Sequence, residues 1–200
     1  MTSSLTTPIT LTGQRASLVP LSHTHSDDLI AAVKDGELWN LWVTFIPKPE
    51  AMRDFIDKRL NDQAKGLWLP FAVIDKMSDA AIGMTNYLNI DAENRRVEIG
   101  GTWYRKSAQR TAINTECKLM LLQHAFETLG CIAVEFRTHF LNQQSRTGIE
   151  RLGAKLDGIL RSHLLMPNGT LRDTCVYSVI ACEWPTVKAH LTYQLERPRS

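Results

Sequence analysis

The spacing of apolar residues along the chain changes several times, and each change marks a new element. From Ile9 to Leu21 the apolar positions Ile9, Leu11, Ala16 and Leu18 alternate loosely around Gly13-Gln14, which predicts a strand pair or a bent strand. Ser22 then stands as a helix cap before Asp27, Asp28, Leu29, Ile30 and Val33, and Gly36 ends that helix. After an aromatic segment at residues 38–47, Pro49 opens a second helix through Met52, Phe55, Ile56 and Leu60 to Gly66. Residues 68–74 and 80–90 predict a hairpin with its turn at 75–79. A second polar turn, 91–95, leads into a strand that begins at Val97. That strand passes through a polar loop, 105–114, into a helix over 115–129 with Leu119, Leu122, Phe126 and Leu129 on one face.

Residues 131–138 are β-rich, and a helix between two strands favours their parallel pairing. Asn142 or a neighbour caps another helix with Ser145, Ile149 and Leu152 near one side and Gly153 at its end. Pro167-Asn168-Gly169 between two apolar runs predicts a hairpin, and Glu183-Trp184-Pro185 starts a short terminal helix. This order defines an α+β domain with a mixed, mostly antiparallel sheet flanked by helices. With 200 residues and 44% hydrophobic content there is one such domain, placed at residues 9–192, between a disordered lead-in (1–8) and a tail (193–200).

Composition mainly excludes. A net charge of +2, with no Lys/Arg cluster interleaved with aromatics, argues against a nucleic-acid groove. Cys117, Cys131, Cys175 and Cys182 have no metal-ligand spacing, so reduced thiols and no metal are expected. Residues 1–7 lack a basic start and an apolar core, and no apolar run has the length of a membrane span. The expectation is a cytoplasmic protein without a membrane partner.

The chemistry concentrates in residues 97–130. A loop that delivers a helix N-terminus presents unpaired N–H groups and the positive end of the helix dipole, a seat for phosphate. Gly100-Gly101 inside the preceding strand marks a bulge or a close backbone approach.

Four passages, Val97-Glu98-Ile99-Gly100, Gln109-Arg110, Asn142-x-x-Ser145 and Glu150-Arg151-Leu152-Gly153-Ala154, resemble the GNAT N-acetyltransferase family, in particular its ribosomal-protein N-terminal acetyltransferase branch. The resemblance extends from about Leu11 to Trp184. It implies fourth and fifth strands that splay apart around coenzyme A, with acetyl-CoA as co-substrate. The family's diphosphate loop, Gln/Arg-x-x-Gly-x-Gly/Ala, falls on Gln109, Arg110, Thr111, Ala112, Ile113 and Asn114, and leads into Thr115. Ala112 and Asn114 depart from that pattern, and glycine serves where positive φ or close approach is needed. The resemblance further places the pantetheine arm on Gly101 and on Thr102, Trp103 and Tyr104. Asn142 would bond its amides, Ser145 would lie by the departing thiolate, and Arg146 would reach the phosphates.

Transfer by direct attack in a ternary complex needs a base for the amine and an acid for the thiolate. Glu98 and His139 are the candidate bases. Glu98 reads more simply as a strand carboxylate paired with Arg95, Arg96 or Arg137, and His139 as a solvated strand-end residue. In this fold the acceptor pocket is walled by the segment holding Trp39, Trp42 and Phe45 and by the late hairpin with Arg161, His163 and Arg172. It would take a primary amine: a protein N-terminus, an amino acid or a small amine. The loop departures keep an alternative open, a non-catalytic acyl-CoA-binding or sensor module. A homodimer is also in keeping with the family.

Overall fold

The structure is a computed structural model that describes residues 6–197. The first strands are β1 (Leu11–Thr12) and β2 (Ala16–Pro20), followed by helices α1 (Ser26–Lys34) and α2 (Met52–Ala64). Next come β3 (Trp68–Asp75), β4 (Ala80–Asp91), β5 (Arg96–Tyr104) and helix α3 (Ile113–Gln123). The chain finishes with β6 (Ala133–His139), α4 (Gln143–Glu150), β7 (Lys155–Leu165), β8 (Leu171–Ile180) and α5 (Trp184–Glu196). Residues 1–5 of the expected lead-in and 198–200 of the expected tail lie outside the described residues.

All eight strands form one sheet in the order β1-β2-β3-β4-β5-β6-β8-β7. Every neighbouring pair is antiparallel except β5 and β6, the pair joined by the α3 crossover. That parallel pairing is brief: Arg96, Val97 and Glu98 match Ala133, Val134 and Glu135, and beyond Glu98 the two strands separate. β5 and β6 are the strands that the family counts as fourth and fifth, because the short β1 precedes them here.

Each face of the sheet has its own core. On one, Leu29, Ala32 and Val33 of α1 and Met52 and Ile56 of α2 pack against Ala72, Ala81, Met84 and Trp103. On the other, Cys117, Leu121, Leu122 and Ala125 pack with Trp184, Val187 and Leu191 of α5 over Leu18, Phe71, Tyr87, Val97 and Ile99.

Two expectations about the helices need correction. The stripe Leu119, Leu122, Phe126 and Leu129 is off centre: Leu122 is buried in the core, whereas Leu119, Phe126 and Leu129 are only partly buried beside it. The last turn, His124–Thr128, is a π turn, and the wider i to i+5 ring rotates the face that meets the sheet. Phe126 instead stacks on Trp184, with ring centroids 5.4 Å apart. The terminal helix is 13 residues long rather than short, and it runs to Glu196 through the start of the expected tail.

One buried carboxylate ties the two ends of this architecture together. Glu116, 5% exposed on the first turns of α3, accepts the backbone N–H groups of Gln14, Arg15 and Ala16, each at 2.9 Å. The β1–β2 turn is thereby anchored to the helix that faces the site. No helix among the described residues is long and apolar enough to cross a membrane.

Candidate active site

The separation of β5 from β6 opens a cleft of about 300 Å³, roofed by α4 and the loop before α3. Its wall on β5 is shaped by a bulge. The β4–β5 register passes from Met84 opposite Trp103 to Asn86 opposite Gly100, so Gly101 and Thr102 together face Thr85. Gly101 takes φ +56°, and the Asn86 Nδ2 donates to the carbonyls of Gly100 at 2.9 Å and Gly101 at 3.2 Å. An added Cβ at Gly101 would lie 2.7 Å from that Nδ2. Gly101→Ala is therefore expected to destabilise the fold by about 1–2 kcal/mol, from the left-handed backbone alone. Urea unfolding measures it, and an unchanged midpoint would show that the bulge tolerates a side chain.

The loop ahead of α3 is held from several sides. The Ser107 N–H and hydroxyl donate to the Asp35 carboxylate at 3.1 and 2.5 Å, and Gln109 Nε2 donates to the Tyr104 carbonyl at 3.0 Å. The Thr111 hydroxyl donates to the Ala108 carbonyl at 2.7 Å and accepts the Ile113 N–H at 3.3 Å. The positive φ in this loop falls on Arg110, at 61°, whereas Ala112 has φ −72° and Asn114 lies inside α3. The positions where the family pattern carries small residues thus have ordinary helical backbone here. A methyl group and an Asn side chain fit without strain.

Of the residues expected around a cofactor, Thr102, Trp103, Tyr104, Gln109, Arg110, Asn114, Asn142 and Ser145 line this one cleft. Thr111, Ala112, Ile113 and Thr115 shape the loop and helix start without lining it. Asn142 caps α4 by accepting the Ser145 N–H at 3.1 Å, which leaves its Nδ2 for another acceptor. Arg146 is turned away: its Nε donates to the Tyr177 hydroxyl at 3.0 Å, and its guanidinium lies over the Phe140 ring.

The acceptor-side expectations shift to neighbouring residues. Trp39 packs against the core, and Trp42 is half exposed with its ring edge-on to His139 at 5.2 Å. Leu38, Leu41, Val43, Thr44 and Ile46 supply the wall instead. Arg161 is exposed and paired with Asp173 at 2.5 Å, whereas Arg172 lines the cleft. Strand-scale patterning does not reveal which hairpin Arg faces inward, because β7 and β8 pair with register shifts.

Glu98 is 5% exposed and accepts the Asn89 Nδ2 at 2.6 Å. The Arg137 guanidinium stands 3.5 Å from it, while Arg96 pairs with Glu135. Burial pushes its carboxyl above the usual range, against the opposing pull of Asn89 and Arg137. Its Oε1 would lie 2.8 Å from a Cβ at Gly100, a cleft residue, so the missing side chain there opens a way to the carboxylate. His139 is buried rather than solvated, and its Nδ1 accepts the Leu141 N–H at 3.0 Å. That bond places its proton on Nε2, a buried atom without a partner among the described residues. Burial and the charge of Arg172 hold the imidazole below its usual range. Cys117, in the helix beside the cleft, has its thiol pushed up to about 12 by burial, so it is not a thiolate nucleophile at neutral pH.

Lys118 is a charged cleft residue that sequence reasoning missed. It follows Asn114 by one helical turn and is 5% exposed. The signal was a charged residue four positions before Leu122, on the apolar face of a helix.

The cleft's charge is one-sided: Arg110, Lys118, Arg137 and Arg172 line it, and no Asp or Glu among the described residues does. A splayed parallel pair, a bulge with glycine at positive φ and a helix N-terminus meet at this one cleft. The profile of the Acetyltransferase (GNAT) domain matches residues 15–155, and the chain belongs to the GNAT acetyltransferase family, whose members use acetyl-CoA. A Bacillus subtilis (strain 168) protein whose name proposes a ribosomal N-acetyltransferase, YdaF, is 34% identical over 102 residues, which span 51% of this chain and 55% of that protein. A GCN5-related N-acetyltransferase from Brucella melitensis superposes with TM-score 0.85 at 30% identity, covering 94% of this chain and 86% of its own. The microcin C7 self-immunity acetyltransferase MccE, solved with acetyl-CoA and AMP, shares the fold at TM-score 0.73 and 19% identity, over 84% of this chain and 93% of its own. Among the described residues no group of His, Cys, Asp or Glu is arranged to hold a metal ion.

Proposed function

We propose that this chain transfers the acetyl group of acetyl-CoA to a primary amine by direct attack in a ternary complex. The observation that carries this reading is the cleft between β5 and β6, lined by Arg110, Arg137 and Arg172 and open at a helix N-terminus. A CoA molecule is a polyanion with an amide-rich arm, and both properties are matched. The backbone at residues 109–114 and Arg110 would hold the diphosphate. The β5 backbone from Gly101 to Tyr104 would pair with the pantetheine arm as an added strand, and Asn142 Nδ2 would bond one of its amide oxygens. An N–H at the bulge would polarise the thioester carbonyl.

The acceptor amine would enter beside residues 38–46 and Arg172. There Glu98 takes its proton, directly or through water, and Ser145 supplies a proton to the departing thiolate. His139 is the weaker candidate base, since its Nδ1 lone pair is already used by a backbone N–H and its Nε2 carries the proton. The name of the Bacillus relative favours a protein N-terminus as acceptor, and the apolar residues Leu38, Leu41, Val43 and Ile46 suit the side chains of a peptide's first residues.

Release of free thiol from acetyl-CoA in the presence of N-terminal peptides and small amines tests the proposal. Peptide-dependent release is the expected result, and no release with any amine would overturn it. Asn142→Ala is expected to raise KM for acetyl-CoA about tenfold, the worth of one hydrogen bond to a polar ligand. An unchanged KM would remove Asn142 from the site.

A further inference from the structure

Lys118 is buried, and among the described residues it has no counter-ion. Its Nζ donates to the hydroxyls of Thr102 at 2.6 Å and Thr85 at 3.1 Å, and those hydroxyls bond each other at 2.8 Å. No carboxylate oxygen among the described residues lies within ion-pair distance of it. An ammonium has three N–H donors, and the threonines take two. The remaining one has the cleft, which Lys118 lines, as its outlet.

Position along α3 says what it would meet. Asn114 stands at the start of the helix, by the anion seat, and Lys118 lies one turn deeper, about 6 Å along the axis. Its partner Thr102 belongs to the bulge on β5. At that depth Lys118 would meet the uncharged arm of a bound CoA rather than its diphosphate.

We propose that Lys118 is a further cofactor-binding residue, which donates its third N–H to an oxygen of the pantetheine arm and takes up a proton when CoA binds. This rests on the acetyl-CoA reading above. In the free protein, burial lowers the lysine to about 7, which disfavours the ammonium there. An accepting oxygen and a polyanionic ligand favour the ammonium, and binding is then coupled to protonation.

Of the titratable groups around Lys118, Glu98 opens on the cleft at Gly100; it is retained in every Lys118 variant, so only the difference from wild type is assigned to Lys118. Cys117 on the same helix and Tyr104 on β5 are pushed upward by burial and stay neutral. Glu116 is engaged by the backbone of residues 14–16. Arg110, Arg137 and Arg172 across the cleft keep their charge. β4 and α4 present Thr85, Gln144, Ser145 and Asn142, which do not titrate.

Calorimetry with CoA in two buffers of different ionisation enthalpy tests the proposal, on wild type, Lys118→Met and Lys118→Arg. Wild type is expected to take up about half a proton per site at pH 7, and more at pH 8. Lys118→Met fills a similar volume, leaves the two threonines bonded to each other, and should bind about tenfold more weakly without that uptake. Lys118→Arg keeps the charge permanently, so its binding should stay within a few-fold while the uptake disappears. If Lys118→Met fails to fold, the loss of uptake in Lys118→Arg carries the test. Uptake equal in wild type and variants, or an unchanged affinity in a folded Lys118→Met, overturns the role of Lys118 and leaves the CoA reading intact. Absence of CoA binding by wild type overturns both.

Discussion

Glu98→Gln should lower kcat for acetyl transfer about 100-fold while leaving KM for acetyl-CoA within a factor of two, the loss typical of a missing general base. The amide keeps the shape of the side chain and a partner for Asn89 but cannot accept the amine's proton. The pH profile separates this from a structural loss. A carboxyl accepts a proton only when ionised, and burial raises this one above the ordinary carboxyl range. The kcat/KM of wild type should therefore fall as pH drops through that raised value, and the fall should vanish in Glu98→Gln. If the variant keeps the acid limb, or keeps wild-type turnover, Glu98 only anchors Arg137 to β5.

The second large effect concerns stability. Glu116→Ala would strip the acceptor from three backbone N–H groups at Gln14, Arg15 and Ala16 and leave a void where the carboxylate met Gly13. Hydrogen bonds to an ionised group contribute about 1.5–3 kcal/mol each, and partly exposed donors recover some of that from water. The expected loss is about 3–5 kcal/mol in urea or thermal unfolding. Glu116→Gln, which retains one acceptor oxygen, should recover part of it. A loss below about 1 kcal/mol would mean that the β1–β2 turn is solvated without Glu116. The same variants should show raised KM for acetyl-CoA even where folded, because Glu116 fixes the start of the helix that carries Asn114 and Lys118.

The sequence by itself determined the order of elements, the βαβ crossover and the parallel pairing of β5 with β6. These follow from short-range causes: turn residues such as Asn168-Gly169, caps such as Asn142, and a helix long enough to force a crossover. It also marked the β5 bulge, since Gly100-Gly101 in a strand has few other uses. The loop ahead of α3 was legible, but the meaning of its departures from the family pattern was not. Whether alanine fits at residue 112 depends on which loop residue takes positive φ, and Arg110 takes it.

Tertiary structure alone decided which side chains face the cleft. Arg146 and Arg161 sit on the right elements, yet Tyr177 and Asp173 capture them, and Arg172 stands in the cleft instead. Such choices depend on partners far along the chain and on register shifts in β7–β8 that no local pattern encodes. The π turn rotated the buried face of the α3 segment away from the periodic stripe. Lys118 shows the limit most clearly. Its place on the apolar side of α3 was visible in the sequence, but its environment was not. Two threonines from different strands meet its ammonium group at the bulge, and among the described residues no carboxylate pairs with it.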